Sequence, residues 1–210
     1  MKSLYHTFLI VLLAVSFFLA SCSKDVVQDT ISETGGLVAV NADSTSDFGN
    51  YQTIAVNDSV VFTNGKAYSR ELNTIDAAYI NAWKDSLAAL GYIVVDKTQN
   101  PDLLMNVTKV DNSVNNILDF STYWKYYATL YKPSSLGVSG AQYVANFDNS
   151  QTTKDLLLSF EMIDLKNKTN TTLHVIWNGV VTDKTVSTDI NQVQLVMEEL
   201  LYQSPQLKVQ

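Results

Sequence analysis

The sequence predicts an α+β domain: a mixed or antiparallel sheet with two helices packed on one face. Three observations predict it. Two stretches place apolar residues at three- and four-residue steps, the period of a helix with one buried stripe. Several others alternate apolar and polar residues, the period of a half-buried strand. Their order along the chain is strands, helix, strands, an irregular middle, a hairpin and a helix, which suits helices layered on a sheet.

Residues 52–56 and 60–62 read as short strands, with Asn57-Asp58 turning between them. The first helix follows, carried by the stripe Leu72, Ile75, Tyr79, Ala82, Trp83, Leu87 and Leu90. Asn73 with Asp76 can cap its start, with Ser69 an equally good beginning, and Gly91 suits the left-handed position past its end. Residues 92–95 return as a strand. Asn100-Pro101-Asp102 makes a turn, and in residues 103–110 Leu103, Met105 and Val107 face one side while Asn106 and Thr108 face the other. Residues 156–163 alternate in the same way, with Leu156, Leu158, Phe160 and Met162 on one face. A polar hairpin connection over 164–171 leads to a strand at 173–181, with Leu173, Val175 and Trp177 on one face. The last helix spans 189–202 on the stripe Ile190, Val193, Val196, Met197, Leu200 and Leu201, and Ser204-Pro205 stops it.

The amino terminus has a different character. Lys2, an apolar run from Phe8 to Leu19 and the small residues Ala20-Ser21 are the three parts of an export signal. The run is about a dozen residues, short of the roughly 20 that cross a bilayer as a helix. Leu19-Ala20-Ser21-Cys22 resembles the lipobox of bacterial lipoproteins. The resemblance implies cleavage of signal peptide 1–21 and attachment of acyl chains to Cys22. Cys22 is the chain's one cysteine, so no disulfide and no thiolate cage forms within a molecule. Ser23, in the second position where aspartate favours inner-membrane retention, points by the same resemblance to the outer membrane. Ser23-Lys24-Asp25 resembles a surface-display signal, although Val26 breaks its acidic pair. Residues 22–50, rich in Ser, Thr, Asp, Asn and Gly, read as a flexible tether with a short strand at 37–40. Asp29-Thr30-Ile31 and Asp43-Ser44-Thr45 resemble sites of bacterial O-glycosylation. The folded domain is placed at 51–205 and a C-terminal tail at 206–210.

The motifs of the folded part resemble a family. Asp47-Phe48 with Tyr51-Gln52-Thr53, the helix end Ile80…Leu87…Gly91-Tyr92, Asn100-Pro101-Asp102-Leu103-Leu104, Trp177-Asn178-Gly179 and a last helix closing on Ser204-Pro205 occur in the order of domain of unknown function 4136. The resemblance covers 47–205, with the middle, 112–150, departing from its pattern. It implies a lipid-anchored α+β domain of the bacterial envelope with no assigned activity.

Charge narrows the partners. The chain carries 14 Lys and Arg against 21 Asp and Glu, a formal −7, and no two basic residues adjoin. That argues against nucleic acid, whose phosphates need Lys and Arg to neutralise them. Catalytic candidates are few. His174 is the one histidine of the mature chain, sharing a strand face with Ile176 and Asn178, and no set of metal ligands accompanies it. Gly137-Val138-Ser139-Gly140-Ala141 is a near miss for a nucleophile elbow. Ser139 precedes Asp155, Asp164 and His174 in the order such hydrolases use, but it lacks the strand before and helix after. Asp111-x-Ser113-x-Asn115 echoes a calcium loop without its glycine and final glutamate. Phe120, Tyr123, Trp124, Tyr127 and Tyr131 fall at helical spacing, in a stretch that also holds Tyr126. They either complete a core or form an aromatic contact surface.

The expectation is therefore a lipid-anchored, non-enzymatic binding or structural protein without cofactor. It sits on the outer membrane facing the periplasm or the cell surface. Its partners are the membrane, through its acyl chains, and an envelope protein or glycan. A serine hydrolase using Ser139 and His174, and an accessory subunit of an envelope complex, are the alternatives.

Overall fold

A computed structural model of the chain describes residues 30–31, 37–64, 67–111, 120–147, 156–182 and 188–209. Cys22, the signal segment and most of the calcium-like loop lie outside them. Ten strands form one mixed sheet: β1 (Thr30–Ile31), β2 (Leu37–Ala42), β3 (Thr53–Val56), β4 (Val60–Thr63), β5 (Tyr68–Glu71), β6 (Ile93–Val94), β7 (Leu103–Asp111), β8 (Gln142–Ala145), β9 (Leu156–Asp164) and β10 (Thr172–Thr182). The described helices are α1 (Thr74–Ala89), α2 (Phe120–Leu130) and α3 (Asn191–Tyr202).

Long β9 is the spine, antiparallel to β7 on one side and β10 on the other. The outer edge of β7 is shared. β3 pairs parallel with its first half, and β4 pairs parallel with its second. The turn at Asn57-Asp58 thus carries the chain along one strand rather than back in a hairpin. The outer edge of β10 is shared likewise by β8, parallel, and β2, antiparallel. Two sequence motifs meet where β3 docks. The Asp102 carboxylate accepts from the N–H groups of Gln52 (2.8 Å) and Thr53 (3.1 Å), while Thr53 Oγ1 accepts from Asp102 N–H (2.9 Å). That clasp fixes the register of β3 against β7.

The sheet is apolar on both faces, because β7 and β9 alternate between two different cores. Leu103, Met105 and Val107 join Leu158, Phe160 and Met162 under α1 and α3. Trp83 of α1 stands over this face, 5.4 Å from both the Phe160 and Trp177 rings. Both predicted helices therefore pack on one face. α1 is set by a capping box: Asn73 accepts from Ile75 and Asp76 N–H, and Asp76 accepts from Asn73 N–H. Leu72, ahead of that cap, is 60 % exposed and leaves the stripe. Gly91 follows with φ of 103°, as its position required.

Five expectations are corrected. A bulge between Val175 and Trp177 shifts the register of β10, so Leu173 and Val175 face one core and Trp177 the other. The same bulge keeps His174 and Ile176 together and sends Asn178 to the opposite face, where it bonds Ser159. The folded domain begins ahead of Tyr51. β2 is a strand of the sheet with Val38 and Ala39 fully buried, and Phe48 is buried in a 3₁₀ turn. The tail, too, belongs to the domain: Leu207 is fully buried, and Val209 N–H donates to Leu90 C=O at 3.0 Å. Lastly, a helix, α2, covers the second face of the sheet.

Trp177 and Gly179 show why an aromatic and a glycine are spaced by one. Both point to the α3 side, and a Cβ on Gly179 would lie 2.6 Å from the Trp177 ring and 2.7 Å from Leu200. The indole lies across the glycine and donates to Ser204 Oγ at 3.0 Å, tying the sheet to the end of α3.

Candidate functional site

The second face carries the unusual chemistry. On β9, Ser159 and Glu161 alternate with the α1-facing residues and so point toward α2, where both are fully buried. Four side chains converge on the Glu161 carboxylate. Tyr123 (2.6 Å) and Ser159 donate to Oε1, and Thr108 (3.1 Å) and Tyr127 (3.2 Å) donate to Oε2. A further shell holds these donors: Asn106 donates to the Tyr127 hydroxyl at 2.6 Å, Asn57 donates to Asn106, and Asn178 donates to Ser159 at 3.0 Å.

Burial raises the Glu161 pKa, the hydrogen bonds from Ser159, Tyr123, Thr108 and Tyr127 pull it down, and the balance leaves it at about 7. Tyr131 donates to Val107 C=O (2.9 Å) and also touches Thr108 Oγ1 (3.2 Å). The same burial lifts the hydroxyls of Tyr123, Tyr127 and Tyr131 well above the usual tyrosine range, so they stay protonated donors.

This arrangement corrects the aromatic contact surface. Tyr123, Tyr127 and Tyr131 are buried, their rings stacked along α2 at 5.6 and 4.8 Å, and Trp124 is half-buried against Tyr127 and Phe147. The helix needs those rings because its partner face contains a carboxylate, and tyrosine supplies both apolar area and a donor.

Tyr131 also borders an open cleft of about 810 Å³, with Tyr143 beside it. Arg70 from β5, Lys97 from the turn after β6, and Lys166 and Lys168 from the β9–β10 turn line it, together with Asp58 and Asp102. Asp58 pairs with Lys97 at 3.7 Å. Burial raises the Asp102 pKa, but the hydrogen bonds from Gln52 and Thr53 and the Lys166 charge outweigh it and hold the carboxyl below its usual range. Arg70 stands 6.0 Å over the Tyr131 ring and donates to Ser59 at 3.2 Å. Lys166 and Lys168 donate to the carbonyls of Asn50 (2.6 Å) and Leu136 (3.0 Å).

The hydrolase candidates lie apart from this cleft's lining. Ser139 sits in an exposed turn, with strand β8 rather than a helix after it, and no hydrogen bond joins it to His174. His174 is half-buried and lines a separate polar pocket of about 530 Å³ with Asp43 and Asp164. There Asp164 accepts from Tyr51 (2.8 Å), and Asp43 accepts from Thr45 (2.6 Å) and Asn146 (2.9 Å). Among the described residues no group of three or more His, Cys, Asp or Glu side chains is placed to hold a metal ion, and no helix is long and apolar enough to cross a membrane.

Sequence reasoning missed Glu161, Tyr143 and the cleft cations. Two signals were present: Arg70 is the chain's one arginine, and Glu161 shares its strand face with apolar Leu157 and Ile163.

Known proteins agree with this fold. A crystal structure of a DUF4136 family protein from Bacteroides thetaiotaomicron superposes with a TM-score of 0.66 at 18 % identity, covering 82 % of this chain and 97 % of that one. No curated protein matches the chain significantly. The family model described as domain of unknown function (DUF4136) matches residues 38–206, from the buried start of β2 to the turn after α3, and the chain belongs to that family.

Proposed function

We propose that the chain is a lipid-anchored protein of the bacterial cell envelope, held on the outer membrane by acyl chains on Cys22, and that its domain is a binding module rather than an enzyme. The cleft beside Tyr131 and Tyr143 is its site. The observation that carries this reading is the separation of the two kinds of polar group. The carboxyl poised near neutrality, Glu161, is sealed beneath α2. The open cleft offers cations, tyrosine edges and an Asp102 already committed to backbone N–H groups. Such a surface recognises; a proton-transfer catalyst needs its titrating group within reach of substrate.

The anchor rests on Leu19-Ala20-Ser21-Cys22. Eight residues from Cys22 to Thr30, where β1 joins the sheet, span at most about 29 Å, so the domain works close to the membrane surface. Mass spectrometry of the native protein will find Cys22 as the acylated amino terminus, and Cys22→Ala will leave the membrane fraction. An unmodified thiol there, or full membrane retention of the variant, sinks the anchor.

A further inference from the structure

We infer that the cleft takes a small organic anion, a compound bearing a phosphate or a carboxylate. The inference rests on the cleft being the domain's binding site and adds the chemistry of what enters it.

Three observations carry it. The first is unbalanced charge. In a chain of formal charge −7, Arg70, Lys166 and Lys168 line one cavity, and among the described residues no carboxylate pairs with any of them. Like charges around a shared cavity repel, and an acidic protein has carboxylates enough to quench them elsewhere; Lys109, for instance, has two. Each free cation also has donors to spare. A guanidinium carries five N–H groups and an ammonium three, while the structure gives each of these side chains one acceptor. The second is a buried donor without a partner. Tyr143 lines the cleft, is 6 % exposed, and its hydroxyl meets no hydrogen-bond acceptor. Leaving such a group unpaired costs roughly 1–3 kcal/mol, which a ligand oxygen would recover by drawing the hydroxyl, sealed from solvent in this structure, toward the cleft. The third is size, since about 810 Å³ lies within the range of small-molecule sites, roughly 300–1,000 Å³. Asp102 and Asp58 offset two of the four cations in the lining, Arg70, Lys97, Lys166 and Lys168, and leave the cleft net positive.

The test is calorimetric titration of the purified full-length protein with inorganic phosphate, glucose 6-phosphate, glucuronate and glucose. At least one of the three anions is expected to bind, with glucose at least tenfold weaker. The phosphate and carboxylate compounds tell the two anion sources apart. Arg70→Gln and Lys168→Gln are each expected to weaken that binding about tenfold, and Lys208→Gln, outside the cleft, to leave it unchanged. Tyr143→Phe separates recognition from folding: it should weaken binding while melting at or above the wild-type temperature, since it deletes an unsatisfied hydroxyl. Glucose binding as tightly as the anions, with loss in Tyr143→Phe, overturns the anion and leaves the cleft as a binding site. Anion binding untouched by all three cleft variants overturns the inference by placing the site elsewhere. No binding of any compound overturns this inference and the binding-module reading together.

Discussion

Glu161 is the residue on which the α2 face turns. A carboxyl whose folded pKa is about 7, against the ordinary 4.5 of a free glutamate, binds its proton more tightly in the native state. Stability from this group is therefore fully present below the unfolded pKa and is lost as pH rises through the folded one. The window runs from about pH 4.5 to about pH 7, and the loss across it is about 3 kcal/mol. Glu161→Gln, neutral at every pH, is expected to flatten this slope. Urea unfolding of both proteins from pH 4.5 to 8 checks it: the wild type should lose stability relative to the variant as pH rises. Parallel profiles would show that Glu161 does not titrate in this window. Burial and the four donors pull in opposite directions here, and only their packed arrangement decides the sum.

Elements are joined by a second buried charge. Lys109 of β7 is 5 % exposed and reaches Asp76 at 2.9 Å and Glu71 at 3.0 Å, so one ammonium fastens the start of α1 and the end of β5 to the sheet. Asp76 is also the return half of the α1 capping box, which places an acidic group at the helix terminus that favours it. Lys109→Met keeps the stem's bulk but strands Asp76, itself 2 % exposed, without its cation. The expected loss is about 3–5 kcal/mol in urea unfolding. Adding Asp76→Asn should restore a large part of it, because the buried charge is gone. An equal loss in the single and double variants would assign the cost to packing instead. Glu71 plays the smaller part, since it can return to water.

At the scale of the whole molecule, one sheet serves two cores, and the chain ends close it. β2 enters at Leu37 and covers half of β10, while the segment after α3 returns under α1 through Leu207 and Val209. Ending the chain at Pro205 removes a fully buried leucine and the bond from Val209 N–H to Leu90, and is expected to cost about 3 kcal/mol. Thermal or urea unfolding measures it directly; an unchanged transition would return residues 206–210 to the status of a tail. The cleft arises at this scale as well. Its cations come from β5, from the turn after β6 and from the β9–β10 turn, which are brought together only by the sheet order.

What the sequence determined by itself is what lies within one element. The stripes of α1 and α3 apart from their first residues (the exposed Leu72 and Ile190), the Asn73–Asp76 cap, Gly91, and the alternation of β7 and β9 are local periodicities, and local physics decides them. The family motifs were legible as short strings, whereas the clasp of Asp102 on Thr53 forms only when β3 docks on β7. Tertiary structure alone decided the rest. The bulge after Val175 moved Trp177 to the other core because strand pairing, not alternation, fixes register across neighbours. The tyrosines of α2 became an internal lid because a carboxylate on β9, dozens of residues later, needed donors. The cleft was invisible along the chain because a cation's partner is set by what folds beside it, and charge acts through space without regard to sequence separation.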